Sequence, residues 1–136
     1  MVAARARIPG ASVQVGNGAA LPFPDNHFDA AFQTVVLSSV VDTEARQAIA
    51  GELLRVVRPG GVVVSYDMIR GAWDNPHLRG IDRDELQRLF PGYEQDVRRL
   101  TLAIPIASRL ARPLRTIANS IPTLRTHFIA GVKVHG

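Results

Sequence analysis

The 136-residue chain is predicted to fold as an α/β domain, with a mixed sheet flanked by helices. Three observations predict this. Phe28 to Leu37 is a nearly continuous apolar run, the look of a strand buried on both faces in a helix-covered parallel sheet. A helix with clear start and stop signals follows, then the run Val62-Val63-Val64, so the order strand, helix, strand requires a right-handed crossover and a parallel pair. Two further strand patterns close the sequence, Tyr93 to Leu102 and Thr126 to Val134.

Taken in order, Ser12 to Val15 is a short strand candidate, with Val13 and Val15 alternating against polar neighbours. Gly16-Asn17-Gly18 ends it as a turn. Leu21-Pro22-Phe23-Pro24-Asp25-Asn26 is irregular, because two prolines remove donors and restrict the residues before them. After the Phe28 strand, Asp42 or Thr43 caps a helix whose apolar face is Ala45, Ile49, Leu53, Val56 and Val57. Arg55 and Arg58 suit its negative end, and Pro59-Gly60-Gly61 stops it. Asp82 with Glu85 three residues on is a capping-box pattern that opens a short helix through Phe90. Ile106 to Ser120 reads as helical, interrupted at Pro113.

Composition narrows the function. The chain has no cysteine, which excludes disulfides, thiolate chemistry and Cys-based zinc sites. No run is long enough to cross a bilayer; Leu100 to Ala107 is short and contains Pro105. Met1 to Gly18 carries Arg5 and Arg7 but no apolar run of signal-peptide length, so a cytoplasmic protein is expected. The net charge is +4, and every charged residue after Asp96 is basic. That asymmetry fits an anionic partner or a solvated arginine-rich face. No aromatic residues interleave with Arg109, Arg112 and Arg115 as base stacking would require, so nucleic-acid binding is not expected.

Three ordered blocks carry a more specific signal. Gly16 to Asp29 resembles the segment G-D-A-E-x-L-P-F-P-D-x-x-F-D of the methyltransferase type 11 family, a branch of the class I S-adenosylmethionine (SAM) dependent methyltransferases. Val35 to Asp42 stands in the place of that family's V-L-H-H-L-x-D, with Ser38 and Ser39 at the histidine positions. Glu52 to Gly61 is similar to its E-x-x-R-V-L-R-P-G-G. The resemblance implies a Rossmann-like sheet of order 3-2-1-4-5-7-6, ending in an antiparallel hairpin and binding SAM at the strands' carboxyl ends.

The resemblance also implies site residues. Asn17 stands where the family usually has an aspartate that accepts from the adenine amino group; its amide oxygen can accept, at lower strength than a charge. Gly18 would supply a backbone donor to the adenine ring, and Ala19 follows in the same loop. Gln33 falls at the strand end that lines the cofactor crevice, and reads equally as a satisfied strand-end residue. Methyl transfer needs alignment more than proton transfer, so His27, His77, His127 and His135 are ordinary histidines and no catalytic or metal-binding residue is assigned.

The family's D-x-G-x-G-x-G loop and ribose-binding carboxylate have no counterpart in residues 1–136, which read as one truncated domain. Weak or absent SAM binding by the chain alone is therefore expected. The strands that would lie between the Ser12 and Phe28 strands are also unaccounted for, leaving open edges. The expected remedy is a homodimer, formed through Phe28–Leu37 or by exchange of Ser12–Val15; the alternatives are a separate polypeptide in the gap or the Ser12 strand moved in beside the Phe28 strand. The function expected is methyl transfer to a small-molecule acceptor; a non-catalytic dimeric or partner-binding module is the alternative.

Overall fold

A computed structural model describes residues 10–70, 77–100 and 126–135. Its frame is a four-stranded sheet of β1 (Phe28–Thr34), β2 (Val57–Met68), β3 (Glu94–Arg99) and β4 (His127–Lys133), in the order β1-β2-β4-β3. β1 and β2 are parallel, while β4 runs antiparallel to both β2 and β3. If β1 to β4 are the fourth to seventh strands of the expected order, this is its 4-5-7-6 half, hairpin included.

The crossover between β1 and β2 is helix α1 (Thr43–Val56), and α2 (Arg83–Leu89) precedes β3. Asp42 caps α1 by accepting from Ala45 N at 2.7 Å, and Asp82 caps α2 by accepting from Glu85 N at 2.8 Å. Each such cap is worth about 1 kcal/mol. The first helix ends earlier than Pro59-Gly60-Gly61 suggests: Val57 already pairs with Phe28. The glycines have a different task. Gly60 takes φ +83°, and a Cβ on Gly61 would lie 2.5 Å from the Asp29 carbonyl oxygen, so only glycine lets β2 pass β1 there.

One sheet face is the core. Val63, Phe128, Ala130 and Val132 are buried against Leu37, Ala50 and Val56 on the α1 side and Leu86, Leu89 and Phe90 on the α2 side. The helices are joined by Arg46, whose fully buried guanidinium donates to Glu85 Oε1 at 2.8 Å and to the Val40 carbonyl at 2.6 Å. The opposite face aligns Phe32, Val64 and Gly131 across three strands.

Four expectations are corrected. Ser12–Val15 is not a strand: it has no neighbour to pair with among the described residues, and Val15 is 79% exposed. The Phe28 strand stops at Thr34 rather than running to Leu37, because Val35 turns to φ 57° and Leu37–Ser39 form a 3₁₀ turn. Nor is that strand buried on both faces. Ala30 is exposed and Phe32 is 65% exposed, because no described element covers their face of β1. The last strands are shorter than read, at Glu94–Arg99 and His127–Lys133. The Ile106–Ser120 helix, with Arg109, Arg112 and Arg115, lies outside the described residues. No described helix is long and apolar enough to cross a membrane.

Candidate functional site

The chemistry-bearing residues gather at the carboxyl ends of β1 and β2. Gln33, the penultimate residue of β1, is buried and points at β2, where Ser65 and Asp67 occupy the same face. Its amide nitrogen donates to Ser65 Oγ and, at 2.9 Å, to Asp67 Oδ2. Its oxygen accepts from Val36 N at 3.0 Å. Asp67 is fully buried, and its other oxygen accepts from Ser38 N at 3.2 Å and Met68 N at 3.3 Å. A buried carboxylate needs such donors.

This network fixes the segment leaving β1. Val35 sits at φ 57°, a left-handed conformation that a β-branched residue adopts only under constraint. The constraint is visible: Val35 N donates to the Tyr66 carbonyl at 2.8 Å, and Ser39 Oγ donates to the Val35 carbonyl at 2.5 Å. Further along, the Ser38 carbonyl accepts from Arg79 N at 2.8 Å. The Ser38 hydroxyl is buried and has no hydrogen-bond partner among the described residues. The strained backbone lies at the strand end where open α/β sheets bind their ligands.

Asn17, Gly18 and Ala19 form a separate small loop, closed by the Asn17–Ala20 bridge. Asn17 Oδ1 accepts from Ala19 N at 3.0 Å, and the side chain is exposed. Gly18 packs towards α1: a Cβ there would stand 3.5 Å from Ile49 Cγ1. The next residues are clamped to the same helix. Leu21 N donates to Glu52 Oε2 at 2.6 Å, while the Arg55 guanidinium donates to the Phe23 carbonyl at 2.8 Å and the Leu21 carbonyl at 3.1 Å. Prolines 22 and 24 leave those carbonyls without a local ladder, and α1 supplies the donors. Pairing with Arg55 and the Leu21 amide holds the Glu52 carboxyl down at about 2.

At the start of β4, His127 stacks on Tyr66 at 5.5 Å, with Thr126 Oγ1 3.0 Å from its Nδ1. Burial lowers its pKa from the ordinary 6.5, with the nearby Asp67 acting in the opposite direction. Among the described residues no group of three or more acidic, histidine or cysteine side chains can hold a metal.

This geometry pairs the segment before β1 with the end of α1, and the two sequence blocks that do so are those of a known family. A family model described as a methyltransferase domain matches residues 1–65. Residues 1–65 are thus similar to that family's domain. The chain is 42% identical over 65 residues to a ubiquinone/menaquinone biosynthesis C-methyltransferase of Shewanella halifaxensis, covering 43% of this chain and 25% of that protein. It is 33% identical over 84 residues to 24-methylenesterol C-methyltransferase 2 of Oryza sativa subsp. japonica, covering 59% of this chain and 22% of that one. These matches span about a quarter of the curated relatives' length. A SAM-dependent methyltransferase from Thermotoga maritima has the same fold, with TM-score 0.67 at 21% identity over 96% of this chain and 68% of that one. The fold is that of the Rossmann-like SAM-dependent methyltransferases.

Asn17 Oδ1 accepts one hydrogen bond here and, as an amide oxygen, can accept a second, from an adenine amino group. Gln33 has both amide protons committed inside the protein, to Ser65 and Asp67. Sequence reasoning passed over Ser65 and Asp67, and Arg46 with Glu85. The polar alternation Ser65, Asp67 within an apolar strand was the available signal for the first pair.

Proposed function

We propose that the chain forms part of a SAM-dependent methyltransferase acting on a small-molecule acceptor. The cofactor would lie over the carboxyl ends of β1 and β2, between the Asn17–Ala19 loop and the segment Gln33 holds in place. When bound, SAM supplies an electrophilic methyl group on its sulfonium. This chain's contribution is to seat the adenine and keep the crevice wall rigid. Asn17 accepts from the adenine amino group, Gly18 and Ala19 present backbone along the ring, and Gln33 with Asp67 fixes the turn at Val35. Alignment of donor and acceptor is enough for such a transfer, so no residue is given a proton-transfer role.

The observation that supports the reading most is the clamp between α1 and the Leu21–Asp25 segment, which gives a physical reason for two family blocks far apart in sequence. Groups for the ribose and the methionine would come from a polypeptide seated beside β1. A non-catalytic module is the second reading. It is favoured by the Gln33 amide, whose two protons are both spent inside the protein.

Titration of the labelled chain with SAM, followed by amide resonances, separates the two. On the first reading the Gly18 and Ala19 amides shift, with a Kd no tighter than about 1 mM, since much of the site is lacking. No shift at those amides in about 10 mM SAM, ten times that Kd, would leave the non-catalytic reading. A Kd below about 10 μM would show that the residues present, or a second copy, already rebuild the pocket.

A further inference from the structure

The face of the sheet that carries α2 holds a cavity of about 130 Å³, set between α2 and the β3–β4 hairpin. Much of its wall is apolar: Ile81, Leu86 and Phe128 are buried core residues, and Val97 opens onto it at 37% exposure. Arg83 and Arg99 line the cavity too, against one carboxylate, that of Asp82, whose Oδ1 is occupied by the Glu85 amide. Arg83 is exposed, and it makes no ion pair or hydrogen bond among the described residues. The volume equals about four water molecules at about 30 Å³ each, too little for a nucleoside. Apolar walls with guanidinium groups suit a short aliphatic body ending in an anion, and the planar fork of arginine matches a carboxylate with two parallel hydrogen bonds.

We propose that this cavity is a binding site for a short aliphatic carboxylate, with the chain against Leu86, Val97 and Phe128 and the carboxylate on Arg83. The site is independent of the SAM reading: it shares none of the residues assigned to the cofactor.

The test is titration of the isotopically labelled full chain with hexanoate and, separately, with hexan-1-ol, whose body is the same but uncharged. Hexanoate is expected to saturate with a Kd of about 1 mM, shifting the amides of Leu86 and Val97. Hexan-1-ol is expected to bind at least tenfold more weakly, and Arg83→Gln to weaken hexanoate about tenfold while leaving hexan-1-ol unchanged. Arg83 is exposed, so the variant keeps the fold, which its thermal transition verifies. Equal binding of acid and alcohol, indifference to Arg83→Gln, or shifts that never saturate would each overturn the proposal.

Discussion

Glu52 and Arg55, one turn apart on α1, meet as two forks: Arg55 Nε lies 2.6 Å from Glu52 Oε1 and Nη2 lies 2.8 Å from Oε2. The pair is more than a helix-surface contact, because both partners also reach across to Leu21 and Arg55 reaches Phe23 and Asp25 as well. Pre-organised in this way, Arg55 offers donors to the Phe23 carbonyl and to the Leu21 carbonyl, which also accepts from Phe23 N at 2.8 Å. The Asn26 amide completes the junction by donating to the Arg55 carbonyl at 2.9 Å. The loop that carries Asn17 and Gly18 is therefore held by the last turns of α1.

Replacing Glu52 with Gln is expected to loosen this junction. The Leu21 amide loses a charged acceptor, so its hydrogen exchange should speed up while amides in the centre of β2 keep their protection. The same carboxylate makes the junction acid-sensitive. Its pKa is lowered from 4.5 to about 2 in the folded chain, so it contributes stability above 4.5 that is lost as pH falls towards 2. In Glu52→Gln that part of the acid-denaturation profile should flatten.

His127 acts in a higher window and with the same sign. Its folded pKa lies below 6.5, so the unfolded chain takes up the proton more readily and stability declines as pH drops below 6.5. His127→Phe preserves an aromatic ring against Tyr66 and removes the titration. Urea midpoints measured between pH 7 and pH 5 should fall for the natural chain and stay level for the variant.

Arg46 and Glu85 give the largest single effect expected. Truncating Arg46 to Ala leaves Glu85 Oε1 and the Val40 carbonyl without their donor in the core between the helices, with Arg88 still pairing Glu85 Oε2 at 3.1 Å, a loss of about 3 kcal/mol. Replacing both partners with leucine removes the stranded charge along with its partner, and should recover most of that loss. Urea denaturation of the two single variants and the double variant reads the coupling directly.

These residues mark where the sequence was readable. Local chemistry was: the Asp42 and Asp82 caps, the irregular Leu21–Asn26 segment and the four strand patterns from Phe28 onward depend on neighbours in sequence, and each recurs in the structure, the strands with shifted ends. What failed depended on neighbours in space. Ser12–Val15 alternates like a strand, yet alternation makes a strand only where another strand accepts its hydrogen bonds. Arg46 looks like a surface residue on α1 because its partner, Glu85, stands 39 residues away. In the candidate site, Gln33 was legible as a strand-end residue. The destination of its amide protons was not, since Ser65 and Asp67 become neighbours only through the parallel register of β1 and β2.

The open side of β1 yields the last prediction. Phe32 is 65% exposed on a strand that pairs along one edge among the described residues, and Val64 flanks it on the same face. An apolar strand edge of this kind draws another polypeptide, because it offers unpaired backbone groups beside an apolar face. Apolar burial contributes about 25 cal/mol per Å², so covering a few hundred Å² offsets several kcal/mol of association cost. A second copy is the simplest cover, since a two-fold axis lets one patch meet its own image. The exchange of Ser12–Val15 is no longer needed, as that segment forms no strand. The chain is thus expected to be a homodimer through β1 at low micromolar concentration, as measured by light scattering. Phe32→Lys places a charge at the centre of the contact and should shift the mass to that of a monomer. A natural chain that is monomeric and unfolds cooperatively would rule out this assembly, and so would a Phe32→Lys variant that remains dimeric.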